Sequence, residues 1–491
     1  MIFSSFNFIL FFLPFVVIIF HFLKYYLSGK IALSFVTLSS FFFYSQWNPV
    51  FIFLLLFSIL GNYLFNILLI KKPRKFILYI SIFLNLLVLG YFKYRYFIAE
   101  NLSLIIDNDI EIKSIIIPLG ISFFTFQQIA LLIDTFQKKL KCKSFLEFSF
   151  FVSFFPQLIA GPIVLFEDVR KEIKKITNNQ KFLFEKINIG FCIFAIGLFK
   201  KVVIADTISL FVNKGYSVVS KLTFIEAWLL TIGYFFQIYF DFSGYSDMAI
   251  GIGLMFGLLL PLNFNNPYFA TSMIEYWKRW HITMTRFFMT YIYSPLVFNL
   301  TRFFAYKTGS NFLFLSVALS ILITFSLSGL WHGASWKFVW FGLINAFGLI
   351  INHYWKQNNF YCNKIVGWIL TMITVLISLI FFRAANTDEA ITIIELMFSF
   401  EQQVFPQFLL KFSNFFNVEF SYLAFLSTGQ DTVNYLLILV FASLATYFLP
   451  NYANKINELK LNWKISLFIS LIFIISLTIL DRPQSFIYFE F

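Results

Sequence analysis

Apolar stretches long enough to cross a bilayer recur along this 491-residue chain. They lie near 6–23, 50–70, 76–98, 115–133, 187–212, 224–240, 243–260, 311–330, 336–354, 364–382, 435–449 and 464–480, with a shorter one at 31–47. A helical crossing takes roughly 20 apolar residues, with about 17 as a floor. In hydrocarbon every backbone N–H and C=O must be paired within the segment, so runs of this length form helices. The expectation is an all-α, polytopic membrane protein with about a dozen transmembrane helices. With 59% hydrophobic and only 12% charged residues, a water-soluble fold could not cover its apolar surface. No internal repeat, coiled coil or soluble domain interrupts the pattern, so 1–491 reads as a single membrane domain. The opening "MIFSSFNFILFFLPFVVIIFHFL" has neither a basic leader nor a small-residue cleavage site, and reads as a retained first span. The longest polar-flecked segment, 383–434, is expected to be an extramembrane loop with interfacial pieces.

Charge orients these segments. Lys+Arg 37 against Asp+Glu 24 leaves +13, and the surplus sits in short runs between apolar stretches: "KKPRK" (71–75), "KKLKCK" (138–143) and "RKEIKK" (170–175). Such runs mark cytoplasmic loops and are too short to line a nucleic-acid groove. If 138–143 and 170–175 are both cytoplasmic, "FLEFSFFVSFFPQLIAGPIVLF" (145–166) between them cannot cross once. Pro156, Gly161 and Pro162 break its helical pattern, which predicts a re-entrant segment around a protein-lined interior. The three cysteines are far apart and offer neither a disulfide framework nor a metal site.

Polar residues are rare in the apolar segments, so each one is informative. "FFQIYFDFSGYSDMAIGIGLMFG" (235–257) carries Asp241 and Asp247. At helical spacing Asp241 faces Tyr245 and Ser243 faces Asp247, so the carboxylates are either satisfied locally or handle a substrate. Gly253 and Gly257 form a GxxxG that predicts a close helix contact. In "NNPYFATSMIEYWKRWHITMTRFF" (265–288), Ser272 and Glu275 have capping-box spacing. Glu275 and Arg279 are placed to pair, and Trp277 shares a helix face with His281, which reads as an interfacial helix residue. His332, in "FSLSGLWHGASWKF" (325–338), ends an apolar run. Burial favours the neutral imidazole, which accepts a proton, and Gly329, Gly333 and Ala334 leave room for a substrate hydroxyl beside it. The alternative is a packed, hydrogen-bonded histidine. His21 and His353 sit at span ends and read as structural. G-x-S-x-G, HExxH and Walker-type signatures are absent. From the residues alone, an enzyme and a transporter working through Asp241 and Asp247 both remain open.

Several of these stretches, in this order, resemble the membrane-bound O-acyltransferase family. They are "MIFSSFNFILFFLPF", "IPLGISFFTFQQIALLID" (117–134), "FFPQLIAGPI" (154–163), "GLFKKVVIAD" (197–206), "QIYFDFSGYSDMAIGIGLMFG" (237–257), "NFNNPYFATSMIEYWKRWHITMTRFF" (263–288), "SGLWHGASW" (328–336), "FFRA" (381–384) and the closing "RPQSFIYFEF". The likeness is to the bacterial alginate O-acetylation branch, and also to the membrane component of peptidoglycan O-acetylation. It implies a multi-helix fold around a central funnel or tunnel. The histidine of the family's WHG motif is catalytic and matches His332; that of W-x-x-W-H matches His281. Trp331, Trp277, Trp280, Asp241, Ser243, Tyr245 and Asp247 fall in the same motifs and are expected to line or support the substrate tunnel.

The implied reaction moves an acetyl group from a cytoplasmic donor across the cytoplasmic (inner) membrane. The ultimate donor is acetyl-CoA, with no bound cofactor and no metal. A separate periplasmic acetyltransferase and an envelope polysaccharide are the implied partners, alongside the lipid bilayer. D-alanyl transfer to teichoic acid is the alternative within the class, and an inert scaffold for a secreted transferase is a further one. The chain departs from the branch at Met289-Thr290-Tyr291 and Val297-Phe298-Asn299-Leu300, where relatives carry Arg-Asp-Tyr and Gly-Gly-Asn-Arg. It also has Asn345 where many relatives place a further histidine.

Overall fold

A computed structural model describes residues 2–107, 110, 112–113, 115–178, 184–309, 312–399, 429–449, 456, 462–480 and 486–487. Every regular element among them is helical. In chain order the helices are α1 (Asn7–Tyr26), α2 (Gly29–Ser45), α3 (Phe51–Lys71), α4 (Lys75–Ile106), α5 (Ile121–Phe136), α6 (Phe145–Ser153), α7 (Phe166–Thr177), α8 (Glu185–Tyr216) and α9 (Phe224–Met255). There follow α10 (Met273–Arg279), α11 (Ile282–Phe288), α12 (Ser294–Thr308), α13 (Leu313–His332), α14 (Trp336–Gln357), α15 (Lys364–Arg383), α16 (Thr387–Phe398), α17 (Gly429–Phe448) and α18 (Trp463–Thr478).

Among the described residues, seven helices have the length and hydropathy a crossing requires: α1, α3, α4, α8, α13, α15 and α17. The expected count of about a dozen is not confirmed by this measure, for physical reasons that differ by segment. The stretches 115–133 and 464–480 form helices of 16 residues each. The stretches 224–240 and 243–260 join into one helix, α9, of 32 residues that carries Glu226, Asp241 and Asp247. Of the expected loop 383–434, residues 387–398 form α16, and 400–428 lie outside the described residues.

The chain divides into two compact units rather than one continuous cluster. The first comprises Met1–Leu198, Gly244–Asn263 and Tyr452–Pro483, and the second Phe199–Ser243, Phe264–Asn451 and Gln484–Phe491. In the first unit the segment 145–166 is broken as expected. Helix α6 ends at Ser153, Phe155–Leu158 forms a single turn with Pro156 at its start, and the chain is then non-helical to Phe166. All of residues 148–166 are buried, which is the condition under which irregular backbone is tolerated away from water. The Ser40 hydroxyl accepts the Phe155 N–H at 3.2 Å, pairing one of the groups the break exposes.

Four glycines fix the approach of α8 to the part of α9 in this unit. A Cβ on Gly190 would lie 2.6 Å from Gly251 O, and one on Gly197 would lie 2.5 Å from Gly244 O. Both glycine pairs are seven residues apart, two helical turns, so the backbones touch twice along one line. The GxxxG of Gly253 and Gly257 is not this contact. Gly257 adopts φ +83° just past α9 and turns the chain, while a Cβ on Gly253 would meet Leu258 O and Leu260, its own neighbours after that turn.

Candidate active site

The second unit holds His332 at the last position of α13, where the chain turns back into α14. The hairpin is tight because two glycines admit the opposite backbone: a Cβ on Gly329 would sit 2.0 Å from Phe338 O, and one on Gly342 2.2 Å from Phe325 O. A side chain at Gly333 would strike the Phe338 ring at 2.1 Å. The small residues beside His332 therefore make room for Phe338 and not, as the sequence suggested, for a substrate hydroxyl. His332 is 4% exposed and packed edge-on against Trp331, Phe341 and Phe382, with ring centroids 4.8, 5.6 and 5.0 Å away.

Space adjoins the imidazole. A small cavity of about 10 Å³ is lined by His332, by Ile238 of α9, by Tyr276, Trp277 and Trp280 of the 273–280 segment, by Phe341 and Asn345 of α14, and by Val375, Ser378, Leu379 and Phe382 of α15. The spacing on α15 is i, i+3, i+4 and i+7, one face of a helix. On α14, Phe341 and Asn345 are one turn apart, and Asn345 Nδ2 donates to Phe341 O at 2.8 Å. Trp277 also lines a larger chamber of about 560 Å³, walled by apolar groups such as Ile282, Met284, Ile321 and Leu349 and reached by Lys278, Arg286 and Lys356. Its indole is the side chain the two spaces share.

His281 is placed differently from expectation. Ser272 caps α10 and its hydroxyl accepts the Glu275 N–H at 3.2 Å, while Arg279 pairs with Glu275 at 2.6 Å, as the spacing predicted. But α10 ends at Arg279, and His281 turns left-handed at φ 43° before α11 begins. The i,i+4 face shared with Trp277 is therefore lost, and His281 is not an interfacial helix residue. It is fully buried, edge-on to Phe242 at 4.7 Å and beside Trp331 at 5.9 Å. Trp331 thus touches the rings of both histidines.

Burial, outside the seven spans, pulls the His281 imidazole down to about 3, and its own backbone opposes this only weakly. In the unfolded chain the ring takes a proton near 6.5, whereas in the folded chain it does so only near 3. This group's contribution to stability is therefore full above 6.5 and is lost as pH falls toward 3, by up to about 1.4 kcal/mol per pH unit. The unfolding midpoint of detergent-solubilised protein is expected to drop between pH 7 and pH 5, and to drop less in His281→Phe. Equal acid sensitivity in the variant would assign the effect to another group.

Asp241 belongs to a second polar cluster. Lys201, on a π-helical turn of α8 (Lys200–Ala205), places Nζ 2.6 Å from Asp206 Oδ1 and 2.6 Å from Asp241 Oδ1. The Ile487 N–H donates to Asp241 Oδ2 at 3.1 Å, and the Phe486 ring lies 4.6 Å from the ammonium. All three charged side chains are buried. The expected local pairs do not form: Lys201 holds Asp241, and Ser243 Oγ finds no partner among the described residues. Tyr245 and Asp247 belong to the first unit, where the Tyr245 ring stacks on Phe3 at 4.8 Å and Asp247 is half-buried.

His332, Trp277 and Trp280 are thus brought to one cavity, Trp331 and His281 stand behind it, and Asp241 lies elsewhere. The sequence reading missed the cavity roles of Asn345 and Ser378, and overlooked Lys201 and Asp206. A lysine within the apolar stretch 187–212 was the signal for the ion cluster.

The family model described as membrane-bound O-acyltransferase matches residues 77–387. A peptidoglycan O-acetyltransferase of Helicobacter pylori is 38% identical over 391 residues, covering 73% of this chain and 72% of its own. A probable alginate O-acetylase, AlgI, of Pseudomonas aeruginosa is 33% identical over 415 residues, covering 82% and 75%. A teichoic acid D-alanyltransferase of Streptococcus thermophilus is 28% identical over 259 residues, covering 51% and 60%.

Proposed function

Because this chain belongs to the membrane-bound O-acyltransferase family and is a multi-pass O-acyltransferase, we propose that it moves an acetyl group from a cytoplasmic donor across the cytoplasmic membrane for O-acetylation of a cell-envelope polysaccharide. Acetyl-CoA is the ultimate donor in this reading, and an extracytoplasmic acetyltransferase completes delivery to the polymer. The observation that carries it is the small, buried cavity against His332, lined largely by aromatic and aliphatic side chains. His332 acts as general base: it takes the proton of an acceptor hydroxyl as that oxygen attacks the acyl carbonyl, then returns it to the departing atom of the donor. The relatives are named for O-acetylation of peptidoglycan and of alginate, which is transfer to a hydroxyl oxygen.

The cavity also argues for a short acyl group. Its volume of about 10 Å³ is near that of a single water-sized probe, so even an acetyl group must shift the packed rings of Phe341 and Phe382, and each added methylene must shift them further. Such overpacking costs about 1–3 kcal/mol. Butyryl transfer in reconstituted vesicles is therefore expected to run roughly tenfold or more below acetyl transfer. Equal rates would place the acyl group outside this cavity.

The cellular test is ester content. A strain carrying His332→Ala is expected to lose alkali-labile acetyl esters from its envelope polymer while the protein stays at its usual level. Unchanged acetyl esters would overturn the catalytic reading, and loss of D-alanyl esters in their place would overturn the acetyl assignment.

A further inference from the structure

Two residues that line the His332 cavity each carry a buried polar atom with no hydrogen-bond partner among the described residues. Trp277 is 4% exposed, and its indole Nε1–H has no hydrogen-bond partner among the described residues. Asn345 is 1% exposed; its Nδ2 is committed to Phe341 O, but its Oδ1 accepts nothing there. A buried polar group left unmade costs about 1–3 kcal/mol, and native proteins keep few of them without cause. Here the residues that carry this donor and this acceptor line the same space as the candidate base. The Ser378 hydroxyl does not compete, because it already donates to Val375 O at 2.8 Å.

One donor and one acceptor describe the ligand they await: a carbonyl oxygen together with an O–H. We propose that Trp277 Nε1–H is the group that holds the acyl oxygen during transfer, and that Asn345 Oδ1 receives the hydrogen of the acceptor hydroxyl in the bound ground state. This rests on acyl transfer at His332 and supplies the oxyanion donor that such transfer requires. As the hydroxyl oxygen bonds to the acyl carbon, its proton passes to His332 and the carbonyl electron pair moves onto oxygen, where the indole N–H meets it. Collapse of that oxyanion breaks the bond to the donor's leaving heteroatom, which departs with the proton from His332.

The indole is well placed for the task. Trp277 lines both the small cavity and the 560 Å³ chamber. Its orientation is held by edge-to-face packing on Phe325 at 4.9 Å.

The experiment compares full-length wild-type, Trp277→Phe, Asn345→Leu and His332→Ala proteins in vesicles, with a radiolabelled acetyl donor and a polyol acceptor. Trp277→Phe keeps the ring and removes the N–H, so kcat is expected to fall roughly 100- to 1,000-fold with little change in KM for the donor. Asn345→Leu is expected to raise KM for the acceptor with a smaller change in kcat, a split that a purely structural role does not produce. If Trp277→Phe does not accumulate, benzothienylalanine at position 277 removes the N–H alone and is held to the same expectation. A kcat within threefold of wild type for either replacement, with His332→Ala inactive, overturns the assignment and leaves the acyltransferase reading intact. An active His332→Ala would instead defeat that reading itself.

Discussion

Replacing His332 with alanine is expected to lower acyl-transfer turnover by roughly 100- to 10,000-fold, the usual range for losing a general base. The loss belongs in kcat, because a general base acts on the proton that moves in the transition state. The fold should survive: the ring ends α13 and borders a space, so its removal enlarges a cavity without breaking a helix. Initial rates with labelled donor in vesicles, beside a detergent unfolding midpoint, separate the two effects. A variant with normal turnover would place the base elsewhere. His281, also expected to be catalytic, is fully buried and absent from the cavity wall, with its ring 5.9 Å from that of Trp331, which packs against His332.

Loss of the Lys201 ammonium is expected to be the most damaging change to stability. Lys201→Met leaves Asp206 and Asp241 facing one another in a buried site without their counter-charge. Breaking a buried pair by removing one partner costs about 3–5 kcal/mol, since an uncompensated charge stays behind. Neutralising the carboxylates as well, in Lys201→Met/Asp206→Asn/Asp241→Asn, is expected to recover much of that loss. Unfolding midpoints of the single and triple variants check this, and an undisturbed single variant would show that the cluster contributes nothing to stability. The cluster also bears on the transporter reading. Asp241 has its charge met by Lys201 and its second oxygen by the Ile487 N–H, which is the arrangement of a structural anchor.

What the sequence disclosed follows from the range of the interaction involved. His332 stood out because an ionisable ring ending an apolar run is conspicuous whatever surrounds it. The break at Pro156 and Gly161 was visible for the same reason, since backbone chemistry announces itself locally. Pairs distant in the chain were not visible. Asp241 was recognised, but its partners at 201 and 487 share no periodicity with it, so nearer neighbours were proposed in their place. The glycines around His332 were read as space for substrate because sequence says nothing of what fills a gap, and Phe338 fills it. Trp277 and His281 were assigned to one face on the assumption of a continuous helix. The left-handed turn at His281 ends that continuity and sends one side chain to the cavity and the other behind Trp331.

The paired glycines of α8 and α9 bear on how the protein is made. Gly190 and Gly197 leave the ribosome well before Gly244 and Gly251, and until the later helix arrives they present bare backbone to lipid. A seam without side chains gains nothing until both backbones meet, then gains weak Cα–H···O contacts at both crossings together. Helix α8 must therefore wait in the bilayer, inserted but unmated. Assembly of the first unit therefore cannot be completed until the later half of α9 has been made.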